Sequence, residues 1–80
     1  MKIKVLYFAD AEKVVGIHEE IIQFNGKSVG EFLDFIVTKH PELKVLIDKI
    51  TVAVNMEYVD YAVRLKNGDI LAIIPPVQGG

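Results

Sequence analysis

Apolar and polar positions alternate near both ends of the chain, and one segment between them follows a helical period. In residues 2–9, Ile3, Val5 and Tyr7 share one parity, and Lys2, Lys4, Leu6 and Phe8 share the other. A period of two predicts a strand. The second face begins charged and ends apolar, whereas a face turned only to water would stay polar. Leu6 and Phe8 therefore either pack under a loop or form an exposed patch for a partner. Asp10-Ala11-Glu12-Lys13-Val14-Val15-Gly16 predicts a short helical turn, with Asp10 capping its start and Gly16 ending it. Asp10 and Glu12 read as carboxylates favoured by the helix dipole rather than as an acid/base pair. Residues 18–24 predict a second strand with Ile22 and Phe24 in register. Asn25-Gly26 follows as a turn dipeptide that tolerates positive φ. The connection between the two strands is longer than a tight turn, yet antiparallel pairing stays open to them.

Residues 28–40 carry the strongest helix pattern. Ser28 with Glu31 three positions on has the form of a capping box. Val29, Phe32, Leu33, Ile36 and Val37 make one apolar stripe, which is a core face and not a cofactor box. Pro41 disfavours helical geometry at His40 and ends the helix there. Residues 42–49 predict a short second helical segment with Leu43, Leu46 and Ile47 turned inward. Thr51-Val52-Ala53-Val54-Asn55 predicts a strand, Asn55-Met56-Glu57 a turn, Tyr58-Val59 a brief resumption, and Asn67-Gly68-Asp69 another turn. In the last strand, residues 70–74, both parities are apolar. That suits a strand covered on both sides, by the helix and by something else. Strands, one main helix, then strands predict an α+β sheet of about four to five strands with the helix across one face. The first and last strands are the expected parallel neighbours at its middle.

Composition narrows the possible chemistry. Eighty residues make a single small domain, read as residues 1–80 with 75–80 as an extended tail, and 51% hydrophobic residues suffice for a modest core. There is no cysteine, which removes disulfides, thiolate metal sites and thiol nucleophiles and suits a reducing compartment. His18 and His40 lack metal-ligand spacing and read as surface or helix-end residues. Nine basic and eleven acidic residues give a formal net charge of −2, and Arg64 is the one arginine. No basic stripe offers itself to nucleic acid. No apolar run approaches the ~20 residues of a membrane span, and the opening residues lead into a strand rather than a signal peptide. The expected location is the cytoplasm.

The tail carries the candidate chemistry. Pro75 and Pro76 stiffen the exit from the last strand, and Val77, Gln78, Gly79 and Gly80 follow. Glycines without side chains let a carboxylate enter a narrow channel in another protein. Extended, six residues reach roughly 20 Å at ~3.3 Å each. Alone the dipeptide is weak, since chance gives two terminal glycines to about one chain in 200 at ~7% glycine.

Lys4-Val5-Leu6-Tyr7-Phe8-Ala9 with Val14-Val15-Gly16, Val54-Asn55, Asn67-Gly68-Asp69 and the Pro-Pro-Val-Gln-Gly-Gly ending together resemble the MoaD family, the small subunits of molybdopterin synthase, over almost the whole chain. The resemblance implies a ubiquitin-like β-grasp fold and a sulfur carrier that is not an enzyme on its own. It implies that an adenylating activating enzyme uses ATP and Mg²⁺ to activate the Gly80 carboxylate, that sulfur replaces AMP to give a thiocarboxylate, and that the tail enters the large synthase subunit, where the catalytic residues lie. Sulfur then goes to a pyranopterin and builds the dithiolene that holds molybdenum or tungsten. No cofactor is expected on this chain itself. In such a sheet Phe8, Tyr58 and Ile74 are expected near the tail exit as an apolar docking surface. Three other readings stay open: a carrier for thiamine or tRNA thiolation, a ubiquitin-like modifier joined to lysines through Gly80, and a non-covalent binding module.

Overall fold

The computed structural model describes residues 1–76 of the chain. Strand β1 spans Lys2–Tyr7, helix α1 Ala9–Val15, β2 Glu19–Gln23 and helix α2 Val29–Lys39; two 3₁₀ turns follow at Pro41–Val45 and Ile47–Lys49, then β3 Thr51–Val54, β4 Glu57–Tyr58 and β5 Ile70–Ile74. The five strands form one sheet in the order β2-β1-β5-β3-β4. β1 and β5 run parallel at its centre, and the remaining pairs are antiparallel. With α2 packed across one face, this is the ubiquitin-like β-grasp arrangement.

The inward parity of each strand makes the core. Ile3, Val5 and Tyr7 of β1, Leu71 and Ile73 of β5, Val52 of β3 and Ile22 of β2 are buried beneath Val29, Phe32, Leu33 and Ile36 of α2. Each such side chain contributes about 1.5–3 kcal/mol when fully removed from water. Phe24, just past β2, stands edge-on to Phe32 with ring centroids 4.9 Å apart.

Helix α2 starts where the sequence predicts. The Ser28 hydroxyl accepts from the Glu31 N–H at 3.2 Å, and the Glu31 carboxylate accepts from the Ser28 N–H at 3.3 Å. The Val29 and Gly30 N–H groups donate to the carbonyls of Val63 and Tyr61. The first turn is thereby satisfied by protein groups and holds down the long β4–β5 connection.

Two local expectations are corrected. Phe8, not Asp10, occupies the N-cap of α1, and no side chain caps that helix; Asp10 lies inside the first turn and pairs with Lys13 at 3.6 Å. Asn25 and Gly26 do not adopt positive φ. Glycine is needed at 26 for space, because a Cβ there falls 2.3 Å from Cζ of the Phe24 ring. Residues 42–49 are helical as the sequence predicts, in the form of two 3₁₀ turns, with Leu43 buried and Leu46 and Ile47 half-buried. Gly16 does end α1, at φ +88°.

Candidate functional site

The face of the sheet opposite α2 carries the second parity of every strand. Register brings Leu6, Ala72, Ala53 and Tyr58 into one row across β1, β5, β3 and β4. Two alanines at the centre and larger side chains at the ends leave a depression. Phe8 and Ile74 close it on one side, and Ile70 with Met56 close it on the other. The result is an open apolar hollow of about 230 Å³.

Its walls are exposed. Tyr58 keeps 74% of its surface in water, Phe8 39% and Met56 97%. Exposed clusters of large apolar groups of this kind are uncommon on proteins that bind no partner. A polar border lies towards β2, where Lys4 and Glu19 pair at 3.1 Å across the strands. An apolar centre with a polar rim is the anatomy of a protein–protein interface.

The sequence-predicted docking residues Phe8, Tyr58 and Ile74 all line this one hollow. Leu6 is half-buried and Phe8 exposed, and both line the hollow. Ile74 runs directly into Pro75, which is buried, and Pro76, which is exposed. The remaining tail positions, Val77, Gln78, Gly79 and Gly80, lie outside the described residues. Sequence reasoning missed Met56, Ile70 and the two alanines. The odd signal for Met56 was a methionine where a tight turn favours glycine.

A second cluster lies on the helix side of the sheet. Glu20 accepts from the Tyr7 hydroxyl at 2.5 Å and meets His40 Nε2 at 2.6 Å and Lys39 Nζ at 3.1 Å. The 2.6 Å approach to a carboxylate oxygen places a proton on Nε2. His40, read as a helix-end residue, does cap α2, but its ring also closes this network and stands edge-on to Tyr7 at 5.8 Å. Burial, then the hydrogen bond to Glu20 and its charge, push the Tyr7 phenol well above its ordinary value of 10.0. Burial also pushes the Glu20 carboxyl up, but the hydrogen bonds from Tyr7, His40 and Lys39 outweigh it and hold the group below its ordinary 4.5. Both shifts move the pair away from neutral pH, which suits a latch between β1, β2 and α2 rather than a proton-transfer pair. Asp10, half-buried, pairs with Lys13, and Glu12, exposed, pairs with His18. Among the described residues no cluster of His, Cys, Asp and Glu fits a metal ion.

A five-stranded β-grasp sheet with an apolar hollow beside the end of its last strand defines the class: a small ubiquitin-like protein. The profile of the ThiS family matches residues 5–80, and the chain belongs to that family. It is similar to the molybdopterin synthase sulfur carrier subunit of Chlamydomonas reinhardtii, at 40% identity over 100% of both chains. Among solved structures it resembles SAMP1, a small archaeal modifier protein of Haloferax volcanii, with a TM-score of 0.89 and 31% identity over 100% of both chains. It also resembles a chain in the protein–protein complex of subunits 1 and 2 of molybdopterin-converting factor from Helicobacter pylori, with a TM-score of 0.75 and 26% identity over 100% of both chains.

Proposed function

We propose that this protein is the sulfur carrier subunit of a molybdopterin synthase, and that it docks on the larger subunit through the hollow while its tail delivers sulfur. The observation that carries the reading is position: Ile74, a wall of the hollow, is followed at once by Pro75. A partner seated on the hollow receives the following residues directly. Six residues span roughly 20 Å when extended.

The chemistry follows from the terminal carboxyl. A carboxylate is a poor electrophile, because its negative charge repels nucleophiles. An activating enzyme joins the Gly80 carboxylate to the AMP moiety of ATP, with Mg²⁺ on the phosphates, and pyrophosphate leaves. Sulfide from the sulfur source then attacks the carbonyl carbon and AMP departs, which leaves a thiocarboxylate on Gly80. Gly79 gives backbone clearance in the partner's channel. The catalytic groups for sulfur transfer to a pyranopterin belong to the larger subunit. With no cysteine in the chain, the tail carboxyl is the handle for sulfur.

The test is the intact mass after incubation with ATP, an activating enzyme and a sulfur source. The expected gain is that of one sulfur replacing one oxygen, localised by fragmentation to Gly80. An unchanged mass, with an enzyme preparation that thiolates an established carrier, sinks the proposal. The likeness to a small archaeal modifier protein favours a second use of the same activated carboxyl, transfer to lysine amines. Isopeptide-linked conjugates in cell extracts, absent on deletion of Gly79 and Gly80, identify that use.

A further inference from the structure

The hairpin that joins β3 to β4 turns on two residues, Asn55 at φ +51° and Met56 at φ +72°. Two-residue hairpins with both central residues at positive φ strongly favour glycine at the second position. Methionine there carries backbone strain, and its side chain is almost wholly in water at 97% exposure. Nothing in the fold rewards this choice, because the side chain packs into no core. The turn itself is held firmly. Asn55 Nδ2 donates to Asp69 Oδ1 at 2.9 Å, Asn55 Oδ1 accepts from the Ile70 N–H at 3.0 Å, and the Asn55 N–H donates to the Ile70 carbonyl at 2.8 Å.

Strain of this kind gathers at functional surfaces. The described residues contain three non-glycine positions at positive φ: Ala9, Asn55 and Met56. Ala9 follows Phe8 and Asn55 precedes Met56, so each is, or adjoins, a wall of the hollow. Met56 also stands two residues from Tyr58, the other strongly exposed wall. Methionine is unbranched and polarisable, which lets it fill an irregular apolar pocket.

The geometry points to Met56 as the anchor of the docking face: a side chain held out on a rigid turn to enter an apolar pocket of the larger synthase subunit. This rests on the docking reading above and deepens it. The partner chemistry is an apolar socket beside the seat of the hollow, reached by a flexible thioether. A side chain that anchors an interface costs tenfold or more in affinity when removed.

The experiment measures the affinity of the thiocarboxylate-free chain for the purified larger subunit from the same organism, by titration calorimetry, alongside thermal unfolding of the free chain. Variants are Met56→Gly, Met56→Leu and Phe8→Asp. The expected result is opposite signs for Met56→Gly: the melting temperature rises by a few degrees as strain is relieved, and affinity falls by about tenfold or more. Met56→Leu keeps affinity within about threefold, since a volume-conserving apolar swap costs little. Wild-type affinity in Met56→Gly with binding lost in Phe8→Asp overturns the anchor and leaves the docking face standing. Wild-type affinity in both variants overturns the docking reading and the anchor with it.

Discussion

Removing the Glu20 carboxylate tests the latch between β1, β2 and α2. Glu20 has 14% of its side chain in water and gathers three donors: the Tyr7 hydroxyl at 2.5 Å, His40 Nε2 at 2.6 Å and Lys39 Nζ at 3.1 Å. Tyr7 is fully buried, so Glu20→Ala strands its hydroxyl without a partner. A stranded buried polar group costs about 1–3 kcal/mol, and the lost hydrogen bonds to the carboxylate add to this. The half-exposed Lys39 pair adds little. The expected loss is about 2–4 kcal/mol. Tyr7→Phe removes one donor and leaves Glu20 with two, so its loss is about 1–2 kcal/mol. In the double variant no hydroxyl is stranded. Its loss falls short of the sum of the single losses by about 1–2 kcal/mol. Urea unfolding at pH 7 reads these differences through the midpoint, with the slope unchanged if compactness is unchanged. Because the folded carboxyl titrates below its ordinary 4.5, folding favours the ionised form. The stabilisation from ionised Glu20 is therefore complete above about pH 4.5 and fades as pH falls through the lower folded value. The gap between wild type and Glu20→Gln narrows over that acid range. Additive losses in the cycle, or a gap that widens on acidification, would refute the latch.

Two further outcomes are expected. Gly26→Ala places a Cβ 2.3 Å from the end of the Phe24 ring, which is held edge-on to Phe32 at 4.9 Å and also neighbours Phe35. Overpacking of this kind costs about 1–3 kcal/mol, and an unchanged urea midpoint rules it out. Phe8→Asp and Ile74→Asp put charge into the hollow, so binding to the larger subunit falls by about a hundredfold in each while circular dichroism and the melting transition persist; retained binding in both counts against the docking face.

Much of the fold is legible in the chain because its signals are local. The capping box at Ser28 and Glu31, the stripe from Val29 to Ile36 and the stop at Pro41 each operate within a few residues. The parity of Ile3, Val5 and Tyr7 marks the buried side of β1 because successive strand residues point to opposite faces. Phe8, Tyr58 and Ile74 were brought together by the resemblance to a β-grasp sheet, and they do line one hollow. The cap of α1 was misread because Asp10 satisfies a local preference, while the turn from β1 begins one residue after Phe8. Asn25-Gly26 was misread because the same dipeptide serves a turn in one context and clearance in another.

Residue spacing by itself determined the strands, the helix and which side chains face inward, since backbone geometry and near-neighbour solvation act over a few positions. Tertiary structure decided what is built from them. The row Leu6–Ala72–Ala53–Tyr58 exists only once four strands from separate parts of the chain adopt one register. Neither alanine signals a depression until larger groups stand on both sides. The Tyr7–Glu20–His40 network joins residues 13 and 20 positions apart, with no period to announce it. Long-range pairing follows from how the whole sheet closes over α2, so the hollow and the latch are properties of the packed fold.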